Sequence, residues 1–434
     1  MKVLLVTLFF PPAGGAGVQR TLKFATHLPS LGIETHVLAP DDPKWIHRDE
    51  ELLVPTQAWV HRARNLGPKG RRPAEELYGR EGLERMARQT RLLFRRLLVP
   101  DENVAWNLTA VPTAVRIARA EQIDVVVTTS PPPSVHLVGA AVKSTLGIPW
   151  IADLRDSLVA NPHRRGQESV AARAKERTQA LVAKLVARRA DAVVAASDAI
   201  ADEARALGST GRVVTIANGA DFDDFSGLPY TASDRFRITH TGSFFGKRDP
   251  KPFLRALAGT GVDDVVARFV GDFRSSDREF LDSLGLGSRV ELHPYVPRRR
   301  SLELQRDSEV LLLLIPDAGG RGKGVLSGKV FEYLAAERPI LAAVPPDGAA
   351  AKLIGETNAG VVVPPDDVDA IGAALVDLHG RWARGELGWT LLPPDVRDRI
   401  SRRARVEELA QLVREVGAAS ADADPEREGV GDGV

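Results

Sequence analysis

The chain has 434 residues, of which 44% are hydrophobic and 26% are charged, and this excludes both a single small module and a disordered protein. Its 58 Lys and Arg nearly balance 57 Asp and Glu, so no overall field draws the protein to nucleic acid, and any anionic ligand must be held by a local site. The absence of cysteine excludes disulfides, thiolate zinc sites and a cysteine nucleophile.

The first element is a short apolar run, residues 3–10, which is too short for the hydrophobic region of a signal peptide with its cleavage site. It predicts a buried strand. Nowhere do about 18 apolar residues follow one another, so the sequence predicts no membrane-spanning helix. We therefore expect a cytoplasmic protein that at most touches the inner face of a membrane.

Short β-branched runs alternate with amphipathic helical stretches through both halves, a pattern typical of parallel sheets covered by helices. We predict an α/β protein with two doubly wound domains, at residues 1–220 and 221–400, then a helix at 401–417 and a disordered tail at 418–434. The predicted strands are residues 2–9, 34–39, 125–129, 150–153, 192–196 and 213–216 in the first domain and 237–241, 267–270, 290–293, 310–315, 340–344 and 360–363 in the second.

Residues 74–100 are rich in arginine and carry apolar residues at helical spacing, which predicts a helical insertion in the first domain. A basic amphipathic helix of this kind has two interpretations. It packs on its own domain and leaves a solvated basic face, or it lies on an anionic membrane surface. The sequence leaves both open.

A loop with two prolines and three glycines, residues 10–20, joins the first predicted strand to the first predicted helix. Glycines let a backbone approach a ligand closely, and a helix start presents free N–H groups, so Gly14 and Gly15 are candidates for binding a phosphate or a polar acceptor. A dinucleotide fingerprint is one alternative, but Arg20 stands where its third glycine is needed for close packing. A purely structural glycine turn is the other.

A second glycine-rich loop, residues 317–328, follows a predicted buried strand and leads into a helix. Ser327 is suited to cap this helix and Lys329 stands in its first turn, so the helix start is predicted to bind a diphosphate. Glu332 lies about 5 Å further along the axis, where its carboxylate can accept hydrogen bonds from a ribose diol. The structural alternative is an acidic residue that stabilises a helix start.

In their order and spacing these motifs resemble a family 4 glycosyltransferase of the GT-B fold, over nearly all of residues 1–418. The motifs that carry the resemblance are Phe10-Pro11-Pro12 with Gly14-Gly15 and Arg20, Ser130-Pro131-Pro132, residues 147–156, Asn218-Gly219, His240-Thr241-Gly242-Ser243 and residues 329–335. The resemblance implies two Rossmann-like domains that face a cleft, and a C-terminal helix that crosses back to the first domain. It also implies a nucleotide-diphosphate sugar as donor, a hydroxyl acceptor on the first domain, and transfer with retention and without a metal ion or cofactor.

The resemblance also assigns donor-binding residues. Glu332 corresponds to the second glutamate of the family's E-x7-E pattern, whereas Gly324 stands where the first glutamate is expected beside the sugar hydroxyls. We expect backbone N–H groups of residues 322–325 to replace that contact, and the nucleotide base to lie against residues 295–297. The donor-binding candidates are Gly14, Gly15, Gly242, Ser243, Tyr295, Val296, Gly322, Gly324, Val325, Leu326, Ser327, Lys329 and Glu332.

The catalytic candidates include a basic pair, Lys247 and Arg248, which the resemblance places beside the diphosphate, where two cations can replace a metal ion. A solvated basic turn is the alternative for Lys247. His136, in the first turn of a helix, is a candidate for contacting the donor sugar or an acceptor hydroxyl, with a structural histidine as the alternative. Asp153 or Asp156, at the carboxyl end of a strand, is a candidate for orienting the acceptor, and an Asp–Arg salt bridge is the alternative. The acceptor-side candidates are Arg20, Trp106, Arg155 and Asp156.

The nine histidines are scattered without helical spacing, and no Asp-x-Asp motif lies near a strand end, so no metal site is predicted. The expected partners are a nucleotide sugar and a hydroxyl acceptor, namely a lipid-linked glycan, a polysaccharide or a small molecule, without nucleic acid. Three other functions fit parts of the pattern: a non-hydrolysing nucleotide-sugar epimerase of the GT-B fold, a non-catalytic sugar-nucleotide-binding subunit, and a dinucleotide-dependent oxidoreductase.

Overall fold

Seven strands of the first half form one parallel sheet in the computed structural model, which describes residues 1–41, 47–67, 98–159, 170–244 and 246–423. The order in this sheet is β3-β2-β1-β4-β5-β6-β7. The central strands are buried along nearly their whole length, as expected for a parallel sheet with helices on both faces. The strands are β1 (Lys2–Thr7), β2 (Glu34–Pro40), β3 (Ala58–Ala63), β4 (Val125–Ser130), β5 (Trp150–Leu154), β6 (Ala192–Ala195) and β7 (Arg212–Thr215).

The helices of this half pack their apolar faces on the sheet. In the first of them, Val18, Leu22 and Ala25 recur at the spacing of one helical face, and all three are buried in the core beside β1. The helices are α1 (Ala16–His27), α2 (Asn107–Ala120), α3 (His136–Leu146), α4 (Val170–Arg189) and α5 (Asp198–Ala206).

The second half repeats this design with a six-stranded parallel sheet in the order β10-β9-β8-β11-β12-β13. Its strands are β8 (Phe236–Thr241), β9 (Val265–Val270), β10 (Val290–His293), β11 (Val310–Leu314), β12 (Ile340–Ala343) and β13 (Gly360–Val363). Its helices are α6 (Lys251–Gly259), α7 (Ser275–Ser283), α8 (Arg298–Arg306), α9 (Gly328–Ala335), α10 (Ala349–Glu356), α11 (Val368–Ala383) and α12 (Pro394–Ile400).

The last helix, α13 (Arg402–Ala423), returns to the first half of the molecule. Val406, Leu409 and Val413 form a fully buried stripe in the same core as the strands of the first sheet. The prediction of two doubly wound α/β domains with a helix that crosses back is therefore confirmed. The predicted disorder from residue 418 is wrong for residues 418–423, which continue α13, and residues 424–434 lie outside the described residues.

Other predictions have different outcomes. The predicted helical insertion at 74–100 falls almost entirely outside the described residues. Strand β3 was not predicted, because its sequence mixes Trp59, His61 and Arg62 in an edge strand whose side chains are only partly buried. The boundary at residues 220 and 221 falls between the last strand of one sheet and the first strand of the other, and stays a prediction. No helix in the described ranges has the length and apolar character needed to cross a membrane.

The topology determines where a ligand can bind. In each sheet the strand order reverses beside the first strand, between β1 and β4 in one and between β8 and β11 in the other. Open α/β sheets bind ligands outside the carboxyl ends of the strands at such a reversal. The loops that follow these four strands face each other across a cleft of about 870 Å³, which residues of both halves line.

Candidate active site

The cleft brings together most of the predicted donor-binding residues. Gly322 does not line it: its N–H is donated to the carbonyl of Asp317 at 2.9 Å, and a side chain there would overlap the carbonyl of Pro316. Gly322 therefore shapes the loop. The candidates that do line the cleft are Gly14, Gly15, Gly242, Ser243, Gly324, Val325, Leu326, Ser327, Lys329, Glu332, Tyr295 and Val296.

A cluster of basic side chains lies in the second half of the cleft, where β8 ends and α9 begins. Arg248 and Lys329 both line the cleft, and Lys329 Nζ lies 3.5 Å from His240 Nε2. Lys329 has no carboxylate within ion-pair distance among the described residues. Gly242, at φ 112°, makes room for it, because a side chain at that position would overlap Lys329 Nζ.

The electrostatics of this cluster favour an anion. Burial and the positive charge of Arg248 hold the pKa of Lys329 well below its usual range. The ring of His240 is neutral, because burial and the nearby Lys329 charge keep its pKa far below the ordinary value. Its Nδ1–H is donated to the carbonyl of Leu312 at 2.8 Å. Holding the ammonium group of Lys329 away from water is costly, and a diphosphate supplies a compensating negative charge.

Glu332 lies one turn further along α9 and is held by two donors. Arg298 Nη1 donates to its Oε2 at 2.7 Å, and Gln305 Nε2 donates to its Oε1 at 2.7 Å. Each carboxylate oxygen keeps a lone pair for a hydroxyl. Arg298 also pairs with Asp224 at 2.8 Å, and Asp224 pairs with Lys23 of α1 at 2.8 Å. The predicted ribose contact therefore belongs to an ion network that connects the two halves of the molecule.

The halves also meet beside the predicted base site. Tyr295 stacks on His47, with ring centroids 3.8 Å apart, and its hydroxyl lies so close to Gly14 that any side chain at residue 14 would overlap it. Asp49 Oδ2 accepts a hydrogen bond from the backbone N–H of Arg298 at 2.7 Å. Gly14 is thus needed for close approach of the second half, whereas Gly15, at φ 89°, opens the start of α1 towards the cleft.

Lys247 and Arg248 are separated by the structure, although they are adjacent in sequence. Arg248 is buried at the cleft, where burial lowers its pKa. Lys247 is exposed and lines a different, shallower depression with Asp249 and Asp317. The placement of Lys247 beside the diphosphate is therefore not supported, because the turn directs the two side chains to different surfaces.

Asp153 does not face an acceptor. It is completely buried and pairs with Arg20 at 2.8 Å, and Arg20 also donates to the carbonyls of Ile216 and Ala217 at 2.9 Å each. This pair ties α1 to β5 and to the segment after β7. The acceptor role of Asp153 is wrong in this structure, and the salt bridge that the sequence offered as the alternative is formed with Arg20.

Arg155 and Asp156 do line the cleft. Arg155 donates to the carbonyl of Ser130 at 2.8 Å and to that of Gly17, so it holds the loop after β4 against the start of α1. The Asp156 side chain is exposed towards the cleft. Desolvation by the surrounding cleft raises the pKa of its carboxyl, although the positive charges of Arg155 and Arg248 oppose this shift. Of the two aspartates, Asp156 is the one that an acceptor hydroxyl can reach.

His136 and Trp106 lie behind the cleft wall. Thr128 Oγ1 accepts a hydrogen bond from Trp150 Nε1 at 2.7 Å and lies 2.8 Å from His136 Nδ1, so this hydroxyl holds both rings in place. Burial lowers the pKa of His136 to about 3, so the ring is neutral. Trp106 is buried in the core of the first half. Neither side chain contacts the cleft, which contradicts the predicted contacts.

The predicted substitute for the first glutamate is also only partly present. Of the N–H groups in residues 322–325, those of Gly322, Lys323 and Val325 are donated to carbonyls within the same loop. They are not free to bind a sugar hydroxyl. Sequence reasoning missed Arg298, Ser197 and Glu203, which line the cleft. Ser197 had a signal, since it directly follows a predicted strand at an N-cap position; the other two had none.

Comparisons with known proteins agree with the two-domain fold. Residues 14–219 match the family model described as a glycosyl transferase 4-like domain. Among solved structures, sucrose-phosphate synthase from Thermosynechococcus elongatus superposes with a TM-score of 0.66 at 17% identity, covering 96% of this chain and 99% of that one. A glycosyltransferase from Rickettsia africae gives 0.59 at 13% identity, covering 96% and 98%.

Anabaena HepE in complex with UDP-glucose gives a TM-score of 0.55 at 15% identity, covering 98% of this chain and 99% of that one. A comparison with curated protein sequences gave no match. At these identities the superpositions show the fold, and the family model identifies the first half. Residues 14–219 therefore resemble a glycosyl transferase 4-like domain, and the chain as a whole has the two-domain GT-B fold.

Proposed function

We propose that this protein transfers a sugar from a nucleotide-diphosphate sugar to an acceptor hydroxyl, with retention of the anomeric configuration and without a metal ion or cofactor. The observation that carries the proposal is the basic cluster in the cleft, formed by the buried Arg248 after β8 and the half-buried Lys329 at the start of α9, one helical turn from Glu332. This spacing suits a diphosphate and the adjacent ribose diol. HepE has been solved in complex with UDP-glucose, which makes a uridine nucleotide the first donor to test.

The basic cluster defines the proposed catalytic step. Negative charge develops on the diphosphate as the glycosidic bond to it breaks, and Arg248 and Lys329 stabilise this charge in a site shielded from water. These cations supply the charge that a metal ion supplies in other transferases, which is the reason for proposing metal independence. We assign the acceptor to the side of the cleft that carries Asp156.

Retention follows if the acceptor attacks from the same face that the diphosphate leaves. A diphosphate oxygen then accepts the acceptor's proton, and no protein nucleophile is needed. Asp156, whose pKa is raised, orients the acceptor by accepting a hydrogen bond from a second hydroxyl beside the attacking one, whose own proton goes to the diphosphate. The acceptor class, whether lipid-linked glycan, polysaccharide or small molecule, and the cytoplasmic location at or near the inner membrane face stay predictions.

Donor binding and turnover test this function. Calorimetry with UDP, GDP and ADP and their glucose or mannose derivatives identifies the nucleotide, and the preferred donor is then incubated with and without acceptors in EDTA. We expect acceptor-dependent release of the nucleoside diphosphate. Epimer formation without an acceptor would instead identify the epimerase alternative, and donor binding without any turnover would identify a binding subunit.

Glu332→Ala probes the ribose contact. It removes two hydroxyl hydrogen bonds to a charged acceptor, so donor affinity should fall about tenfold or more. Glu303→Ala is a matched control, because Glu303 is a glutamate of the same half that pairs with Arg299 and Arg300 at the surface and does not line the cleft. Equal donor affinity in the wild-type and Glu332→Ala proteins would remove Glu332 from the site.

A further inference from the structure

Gly324 is a glycine because of its surroundings. It is not among the residues with positive φ, so its backbone conformation does not require glycine. A Cβ atom at this position would lie 2.5 Å from the Cβ of Ala199, in the first turn of α5. The start of this helix, which belongs to the first half, therefore occupies the space into which a side chain at residue 324 would project.

The residue before α5 carries an unsatisfied polar group. Ser197 is extended, at φ −155° and ψ 160°, and caps α5 without a side-chain hydrogen bond. The N–H groups of Ile200 and Ala201 are donated to its carbonyl at 3.1 and 3.0 Å, so they do not engage its hydroxyl. Ser197 is only 4% exposed and lines the cleft, and its Oγ has no hydrogen-bond partner within the described part of the chain.

A buried hydroxyl without a partner destabilises a protein unless a ligand or water satisfies it. A serine at the N-cap commonly accepts a hydrogen bond from the second or third N–H of its helix, but the hydroxyl of Ser197 does not. It stands in the cleft wall beside the start of a nine-residue helix, whose first N–H groups have no partner within the helix. Together these donors suit an oxygen atom of a ligand.

The position of this group relates it to the donor. If the diphosphate lies at Arg248 and Lys329 and the ribose at Glu332, the glycosyl group extends from the other end of the diphosphate. The same cleft is lined by Gly324, Val325 and the start of α5, and Gly324 lies against Ala199 of that helix, so this wall is available to the glycosyl group. Glu203, on the same helix, adds a carboxylate to this wall of the cleft.

We propose that Ser197 Oγ and the first N–H groups of α5 bind a ring hydroxyl of the transferred sugar, at the point where Gly324 lets the start of α5 approach the second half of the molecule. This inference rests on the proposed function. In this arrangement the first half of the molecule contacts the donor sugar and contributes to its recognition. The arrangement also explains why residue 324 is small. Donor selectivity then depends on how closely the two halves approach at Gly324 and Ala199.

The test compares two ligands on two variants. Calorimetry gives the Kd of a nucleoside diphosphate and the Kd of its sugar derivative. Three ligand pairs are tried on the wild-type protein, UDP with UDP-glucose, GDP with GDP-mannose and ADP with ADP-glucose, and the pair that it binds most tightly is used for the variants. Ser197→Ala should leave the diphosphate Kd within twofold and weaken the sugar nucleotide about five- to tenfold. Ser209→Ala, which lies outside the cleft lining and close to α5 in the chain, should change neither.

Two results would overturn the inference while the proposed function stands: equal weakening of both ligands by Ser197→Ala, or no change in either. If the wild-type protein binds none of the diphosphates, the proposed function itself fails and the inference fails with it. Ser197→Gly is the second variant, because glycine is accepted at a helix N-cap and also removes the hydroxyl. Thermal melting confirms that each variant is folded.

Discussion

The pair formed by Asp153 and Arg20 provides a sharp test of which aspartate belongs to the active site. Asp153→Asn keeps the volume of the side chain but removes its charge, and it places an amide NH₂ against the guanidinium. Arg20 is 1% exposed, and three of its hydrogen bonds end on Asp153, at 2.8, 3.0 and 3.2 Å. The substitution therefore leaves a buried charge without its counter-ion.

Breaking a buried ion pair by removing one partner costs about 3–5 kcal/mol. We expect a loss of this size in the free energy of unfolding of the first half, measured by urea denaturation with tryptophan fluorescence, because Trp150 lies in the same strand as Asp153. The fraction that stays folded should keep its kcat. Asp156→Asn is the matched control: its side chain is exposed, so stability should change by less than about 0.5 kcal/mol while kcat falls.

The opposite pattern would refute this reasoning. If Asp153→Asn unfolds at the wild-type urea concentration but loses turnover, then Asp153 acts on a substrate and the buried pair has been misinterpreted. If Asp156→Asn keeps full kcat, the acceptor-orienting role of Asp156 fails. The comparison separates stability from chemistry because the two aspartates are three residues apart yet differ in exposure.

Three further predictions concern the cleft. Arg248→Ala and Lys329→Ala should each weaken donor binding at least tenfold in calorimetry, since each removes a charged hydrogen-bond donor. Lys247→Ala is the control and should change the donor Kd by less than twofold. A larger effect of Lys247→Ala would contradict the position of Lys247 outside the cleft. Donor binding should be accompanied by uptake of a proton, because the diphosphate raises the depressed pKa of Lys329. Donor affinity should therefore rise as the pH falls, and the binding enthalpy should depend on the ionisation enthalpy of the buffer. Identical binding enthalpies in phosphate and Tris would refute this. Gly324→Ala should weaken binding of the sugar nucleotide more than binding of the free diphosphate. Adding Ala199→Gly to the same chain should restore the affinity, because it removes the clash between residues 324 and 199. A double variant that still binds the sugar nucleotide weakly would contradict this contact.

The pH prediction has a counterpart in stability. Lys329 has a lower pKa in the folded chain than in the unfolded chain, so the unfolded state binds more protons between these two values. Unliganded stability therefore rises with pH through this window, up to the unfolded value of the lysine. Bound diphosphate removes this contribution, because it restores the charge on Lys329.

Much of the fold followed from local patterns in the sequence. Buried parallel strands such as β11 and β12 are continuous apolar runs bounded by turn residues, so their positions could be predicted from the chain alone. Edge strand β3 could not, because half-buried positions tolerate polar residues. The end of α13 was missed because small residues after Gly417 suggested disorder, although Gly417 itself packs against Met1 and Val125.

The site was less predictable, for physical reasons. A glycine loop and a helix start are local features, so the residues of the second half that line the cleft could be predicted from the sequence. The partner of Asp153 lies 133 residues away, and no spacing rule connects them. Lys247 and Arg248 are adjacent basic residues in one turn, and the sequence does not show that this turn directs only Arg248 into the cleft. The contact of Gly324 with Ala199 depends on how two separate sheets approach each other, which the sequence does not reveal.

The central claim is that the cleft carries out acceptor-dependent sugar transfer from a nucleotide-diphosphate sugar. The most direct measurement is NMR of the product formed by the wild-type protein in EDTA, with the preferred donor and with polyprenyl-linked, polysaccharide and small-molecule acceptors. The account predicts a new glycosidic bond with the anomeric configuration of the donor, and none with Arg248→Ala. An inverted product, an epimerised donor without acceptor, or a complete requirement for added metal would contradict it.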